Sequence, residues 1–148
     1  MKTKIGWLTL LIALFTFSSF GTSVHASDDL SGHAYTITTK SKFDDGTTGS
    51  SYKQYIIFGN NGQAFVGGSN TVKYLLKHKN LIDNFIESQN NYREKETHNY
   101  TLNGNQLSIT TNDGTIIANT TIDNGSKINK SINNDDGHKE IVKFSEVK

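Results

Sequence analysis

After residue 30 the chain alternates apolar and polar positions with a period of two, and it breaks that rhythm once. His33 to Thr39 places Tyr35 and Ile37 on one face and threonines on the other, the signature of a half-buried strand. Phe43 to Ser51 (FDDGTTGSS) reads as a polar loop. Tyr52 to Phe58 predicts a second strand, Gly59-Asn60-Asn61-Gly62 a turn, and Gln63 to Val66 a short third strand. From about Thr71 to Gln89 the period lengthens. Val72, Leu75, Leu76, Leu81, Ile82, Phe85 and Ile86 recur at spacings of three and four, which predicts an amphipathic helix or a pair of short ones. Ser69 or Asn70 is placed to cap it, and Lys79-Asn80 to divide it.

The second half returns to a period of two. Asn103-Gly104 predicts a two-residue hairpin, because such turns need positive φ. That register sets Leu102 opposite Asn105, Tyr100 opposite Leu107 and His98 opposite Ile109, with Tyr100, Leu102, Leu107 and Ile109 on one face. Further turns are expected at 112–114, 123–125 and 134–137, separating strands near 115–122, 126–132 and 138–147. The sum is a mainly β fold: an antiparallel meander or small β-barrel of about eight strands, with an amphipathic helix inserted mid-chain. Closure of the sheet would remove aggregation-prone edges. The competing arrangement is an open meander with the helix across its concave face.

The start of the chain changes the picture of where this domain works. Lys2 and Lys4 precede an apolar stretch from Ile5 to Phe20, and Val24-His25-Ala26 offers small residues at a processing site. This pattern predicts a signal peptide over 1–26, cleaved between Ala26 and Ser27, and a single secreted β-rich domain over 27–148. Contact with a membrane is expected only during export. Loss of Lys2 and Lys4 leaves thirteen basic against fourteen acidic residues, where the full chain carries fifteen and fourteen. No overall excess of one sign marks a nucleic-acid binder. The chain has no cysteine and no proline, so it folds without disulfides, and its turns are made by Gly, Asn and Asp.

Candidate chemistry is sparse. His33, His78, His98 and His138 show no metal-ligand spacing, and no cysteine supplements them, so neither a metal nor another cofactor is expected. No nucleophile elbow occurs, and no catalytic residue is singled out. Asp44-Asp45-Gly46 and Asp135-Asp136-Gly137 fail the calcium-loop pattern, since placing Gly137 at its sixth position puts Ile132 first and Lys143 twelfth. They are expected to be turns. The aromatic residues are more informative. Tyr35, Tyr55, Phe65 and Tyr100 are candidates to line a ligand pocket in the barrel mouth, with core packing as the competing role.

Three segments carry a family resemblance. Leu30-Ser-Gly32-His-Ala-Tyr35 looks like an L-x-G-x-x-[WY] opening. Phe58-Gly-Asn-Asn61-Gly62-Gln-Ala-Phe65 is similar to an F-x-x-[DN]-G-x-x-F hairpin, and Tyr100-Thr-Leu102-Asn-Gly104-Asn105-Gln-Leu107-Ser-Ile109 to Y-x-L-x-G-[DN]-x-L-x-I. Together they resemble the small secreted lipocalin-like (calycin-like) domains of Gram-positive bacteria. The resemblance implies an extracellular, non-catalytic binding domain. Two uses follow: a monomeric carrier of a small apolar ligand, or a module contacting a cell-surface protein or the cell envelope. An inward cavity favours the carrier; a filled barrel with an exposed patch favours the contact module. A secreted hydrolase or inhibitor is the competing class, to be recognised by ionisable groups converging in a cleft.

Overall fold

The alternation that begins at Tyr35 and Ile37 continues through Thr39, and β1 extends over Ala34–Phe43. In the computed structural model, residues 30–92, 96–123 and 126–148 are described. The leader, its cleavage point at Ala26 and Ser27, and the Asn124-Gly125 turn lie outside them. The elements that follow β1 are β2 (Thr48–Phe58), β3 (Gln63–Gly67), helix α1 (Ser69–Lys77), a 3-10 turn (Lys79–Leu81) and helix α2 (Ile82–Tyr92). Then come β4 (Thr97–Asn103), β5 (Gln106–Thr111), β6 (Ile116–Asp123), β7 (Lys127–Ile128), β8 (Ser131–Asp135) and β9 (His138–Glu146). The fold is mainly β, a curled antiparallel sheet with its helical segment in mid-chain.

The strand order is β7-β6-β5-β4-β3-β2-β1-β9-β8, and it dictates the curl. β7 and β8 stand at opposite ends of that order, yet only residues 129 and 130 separate them. Three Cα steps reach about 11 Å at most, so the two edges must approach. They meet through side chains. The Ser131 hydroxyl bonds the Asn119 amide and carbonyl, each at 3.1 Å, and Asn133 Nδ2 donates to the Ile117 carbonyl at 3.0 Å. Polar side chains thus satisfy edge groups that a backbone ladder would otherwise pair. The result is a half-closed barrel.

Residues pointing inward fill it. Phe58 stands between Tyr35 and Tyr100, edge-on to each, with centroids 5.8 and 4.8 Å away. Ile37, Ile56, Leu102, Leu107, Ile109 and Val142 surround this stack, and Leu30 closes the end where β1 begins. Tyr100 donates to the Gly59 carbonyl at 2.5 Å and Tyr35 to the Ser126 carbonyl at 2.5 Å. Each phenol therefore buries its ring without stranding its hydroxyl.

A second core lies on the outside of the sheet. Ala34, Ile57 and Phe65 face outward there and are covered by Val72 and Leu75 of α1 and Ile82 and Ile86 of α2. This explains the unbroken run Ile56-Ile57-Phe58, all fully buried: with both faces covered, alternation gives way to continuous hydrophobicity. Asp83 ties α2 to the β2–β3 turn by accepting 2.8 Å bonds from the Asn60 amide and from its Nδ2. Among the described residues no helix is long and apolar enough to cross a membrane.

Five local expectations are corrected. The helices pack on the convex face, not the concave one, because the concave face is already filled. Residues 48–51 belong to β2, as its hairpin with β1 continues past a bulge. Gly68, not Ser69 or Asn70, caps α1, and having no side chain it makes no side-chain capping bond. The strand expected over 126–132 is two strands, split where Asn129 bonds back to Thr121. The β4–β5 hairpin turns around Gly104-Asn105, one residue beyond Asn103-Gly104. Leu102 faces Leu107 and Tyr100 faces Ile109, with Gly104 at φ 60°. Changing cross-strand partners by two residues keeps every side chain on its face and sets apolar residues opposite one another. Tyr100, Leu102, Leu107 and Ile109 accordingly all lie buried together.

Candidate functional site

The four aromatics named as pocket-lining residues fall on two sides of the sheet. Tyr35 and Tyr100 belong to the interior stack; Phe65 and Tyr55 belong to the outer core beneath the helices. The pairing of β1 with β2 explains the division. Tyr35 pairs with Ile56 and Thr36 with Tyr55, so Tyr35 and Tyr55 occupy adjacent rungs and face opposite ways. They do not share a barrel mouth. Phe65 is edge-on to Phe85 of α2 at 5.0 Å. Burial, reinforced by the nearby charge of Glu146, holds the Tyr35 phenol well above its usual range.

The histidines are dispersed as well. His33 Nδ1 lies 2.8 Å from Glu146 Oε1 at the surface. His98 points inward at 6 % exposure, where burial holds its imidazole below the usual range. Its Nδ1 has no hydrogen-bond partner among the described residues. No three metal-ligating side chains cluster among those residues. The acidic loops behave as turns: Asp45 accepts from the Thr47 amide at 2.8 Å and from its hydroxyl at 2.6 Å. These bonds hold the Asp45 carboxyl below its usual range.

A cavity of about 320 Å³ opens instead on the outer face, lined by Thr38, Lys40, Lys42, Thr48, Ser51, Ile141 and Lys143. Register builds it. Facing outward, Thr38 lies between Lys53 of β2 and Lys143 of β9, Lys40 between Ser51 and Ile141, and Lys42 between Thr48 and Lys139. Lys40, Lys42, Lys53, Lys139 and Lys143 are all exposed. None has a carboxylate partner among the described residues. The acids of β9, Glu140 and Glu146, pair with Ser41 and Tyr35 on the opposite face.

A bulge shapes the hollow. Between the Lys40–Ser51 and Lys42–Thr48 pairs, β1 contributes only Ser41 and β2 both Gly49 and Ser50. The extra residue increases local twist and bends the strand. Gly49 suits the position, since a Cβ there would lie 3.2 Å from Ser41 Cβ and 3.5 Å from the Phe43 ring. At the upper border Lys53 Nζ sits 5.5 Å from the centre of the Tyr55 ring, a cation–π contact.

These lysines leave only a partial signal in the sequence. Lys40 and Lys42 are two apart and Lys139 and Lys143 four apart, so within a strand each pair shares a face. What the chain does not disclose is that β1 and β9 are neighbours. No protein-family model and no curated protein matches the chain.

Proposed function

We propose that this is an exported, non-catalytic binding domain that works through the outer face of β2, β1 and β9 rather than through its interior. The carrying observation is the contrast between a filled inside and a hollow outside. Tyr35, Phe58 and Tyr100 occupy the interior and Leu30 stoppers one end, where a carrier would keep room for an apolar ligand. The 320 Å³ hollow lies outside and is lined by three lysines, three hydroxyl side chains and Ile141. The lipocalin-like motif residues fit this reading as architecture: Leu30, Tyr35, Phe58, Tyr100, Leu102, Leu107 and Ile109 are all core. The leader expected over 1–26 supports export, and an exported domain would turn this face toward the cell envelope or its surroundings.

Amide chemical-shift mapping on the mature chain tests the reading. An extract of the host's cell envelope should perturb the amides of Thr38, Lys40, Lys42, Ser51 and Lys143. A long-chain fatty acid should perturb none of the interior set Ile37, Tyr100 and Ile109. Stoichiometric fatty-acid binding with shifts at those interior amides would restore the carrier and sink this proposal.

A further inference from the structure

We infer that the lysine face binds a linear phosphodiester polymer laid along β1. This deepens the reading of that face as the binding surface and rests on it. Three observations carry it.

The first is charge segregation. Over the full chain basic and acidic residues nearly cancel, at fifteen against fourteen. Yet the outward positions of β2, β1, β9 and β8 hold five lysines and no acid. Random placement of such a balanced set would intersperse the signs. A single-sign face on a neutral protein attracts ligands of the other sign locally.

The second is that the arrangement works against the fold. Lys42 and Lys139 are direct cross-strand partners, a like-charge pairing that destabilises a sheet. Lys53 and Lys143 flank Thr38 from both sides, and Lys40 stands two residues from Lys42. Among the described residues no carboxylate pairs with them, whereas an anionic ligand would relieve all these repulsions together.

The third is geometry and donor type. Same-face residues on a strand repeat at about 7 Å, so β1 offers a row of regularly repeating positions. Lys139 and Lys143 run beside it on β9 at twice that interval. A row calls for an extended ligand with repeating charge. The hollow adds the hydroxyls of Thr38, Thr48 and Ser51 to the ammonium groups. Lysine acts as a point charge on phosphate, and hydroxyls supply donors from several directions to a tetrahedral oxyanion. Planar carboxylate recognition is the speciality of the guanidinium fork, and the face carries none. Phe43 and Tyr52 take the opposite face of the sheet, and Tyr55, the ring at the outward positions of β2, β1 and β9, is half-buried and engaged by Lys53 and Ser69. It offers no platform for stacked bases, so the polymer's backbone is what is recognised.

Binding of the mature chain to a fluorescent abasic deoxyribose-phosphate oligomer, followed by anisotropy over a salt series, tests this. Neutralising four phosphates should give a log–log salt slope of about −3, since each contributes about 0.7 on a single strand. The pair Lys40→Ala and Lys42→Ala should weaken binding about tenfold and flatten the slope by about 1.4. The matched pair Lys77→Ala and Lys127→Ala, on α1 and β7, should change neither. All four positions are exposed, and an unchanged thermal midpoint identifies variants whose fold is intact. Lys143→Gln provides a second, independent variant and should also weaken binding. A salt slope near zero, or equal losses from the control pair, overturns the inference. So does equal affinity for an oligoglutamate of the same charge. Binding to vesicles of phosphatidylglycerol in phosphatidylcholine, with none to the oligomer, overturns it in favour of a membrane surface. If the oligomer fails while envelope extract still shifts the Lys40 and Lys42 amides, only the polymer class is lost. If both fail, the face itself is not the site.

Discussion

One outer sheet surface carries two different lives. Toward the start of β1 and the end of β2 it presents Ala34 and Ile57, beside Phe65 of β3, and two helices bury it. One strand length away the same strands present Lys40, Lys42 and Lys53, and none of the described elements covers them. β2 records the change along its own length, exposed over most of Thr48 to Gln54 and fully buried from Ile56 to Phe58. The backbone ladder is continuous across the boundary apart from the bulge at Gly49-Ser50. Hydrogen bonding is thus common to both halves, and only the side chains differ. Stability should concentrate where apolar area is buried, and binding where charge is left unanswered.

Truncating the covered half should produce the largest effect. Ile57 is fully buried between sheet and helices, and Ile57→Ala should lose about 2–4 kcal/mol through lost transfer energy and an unfilled cavity. Lys40→Ala, on the adjacent strand of the open half, should stay within about 0.5 kcal/mol. Chemical denaturation of the two variants breaks the comparison if their losses are alike.

A second cut at the covered half spares its hydrophobic contacts. Asp83 holds α2 to the β2–β3 turn through two bonds from Asn60, and Gly59 in that turn receives the Tyr100 hydroxyl. Asp83→Ala should destabilise by about 1–2 kcal/mol, the range for bonds to a partly solvated charged group. Hydrogen exchange should show faster opening in α2 with no change in β9. Equal acceleration in both would mean that the helices and the sheet open as one unit.

How far these halves were visible in the chain depends on the range of the interaction. The interior face was legible wherever alternation and turn chemistry agree locally, as for Tyr100, Leu102, Leu107 and Ile109. Even the mistaken hairpin partners left their faces correct, since the error was two residues. Ile56-Ile57-Phe58 carried a local sign of two-sided burial, an unbroken apolar run in a short strand. The lysine face was not legible as a site. It needs β9 beside β1, about a hundred residues apart in the chain, and a bulge that reads as Gly-Ser loop. The aromatics misled for a related reason: composition identifies Tyr35 and Tyr55 as large and amphipathic, while cross-strand register alone separates them.

Acid probes the strands through a buried imidazole. His98 lies in β4, whose neighbour β3 is the strand beneath the helices, and its imidazole is held below the unfolded value of 6.5 by burial. Folding therefore favours the neutral ring. Its contribution is fully present above pH 6.5 and is lost as pH falls from there through the lower folded value. Stability measured at pH 7 and pH 5 should fall for the wild type more than for His98→Gln, which has no proton to gain at that site. Equal falls would exonerate the imidazole and leave acid sensitivity to other groups.

The smallest effect is also the most discriminating, because it should reverse sign. Replacing a surface residue in a sheet usually costs stability or does nothing. Lys42→Glu instead converts a like-charge cross-strand pair with Lys139 into an opposite one, and should stabilise by about 0.2–1 kcal/mol in low salt. Lys139→Glu should do the same. The double variant restores like charges with the sign inverted, so its gain should be less than the sum of the two, and the shortfall measures the pair's coupling. Added salt should shrink every difference in this cycle by screening. Each single variant should meanwhile bind the phosphodiester oligomer more weakly. A pair that improves the fold as it impairs binding is what an unanswered charge predicts; strict additivity in the cycle would show that Lys42 and Lys139 never felt one another.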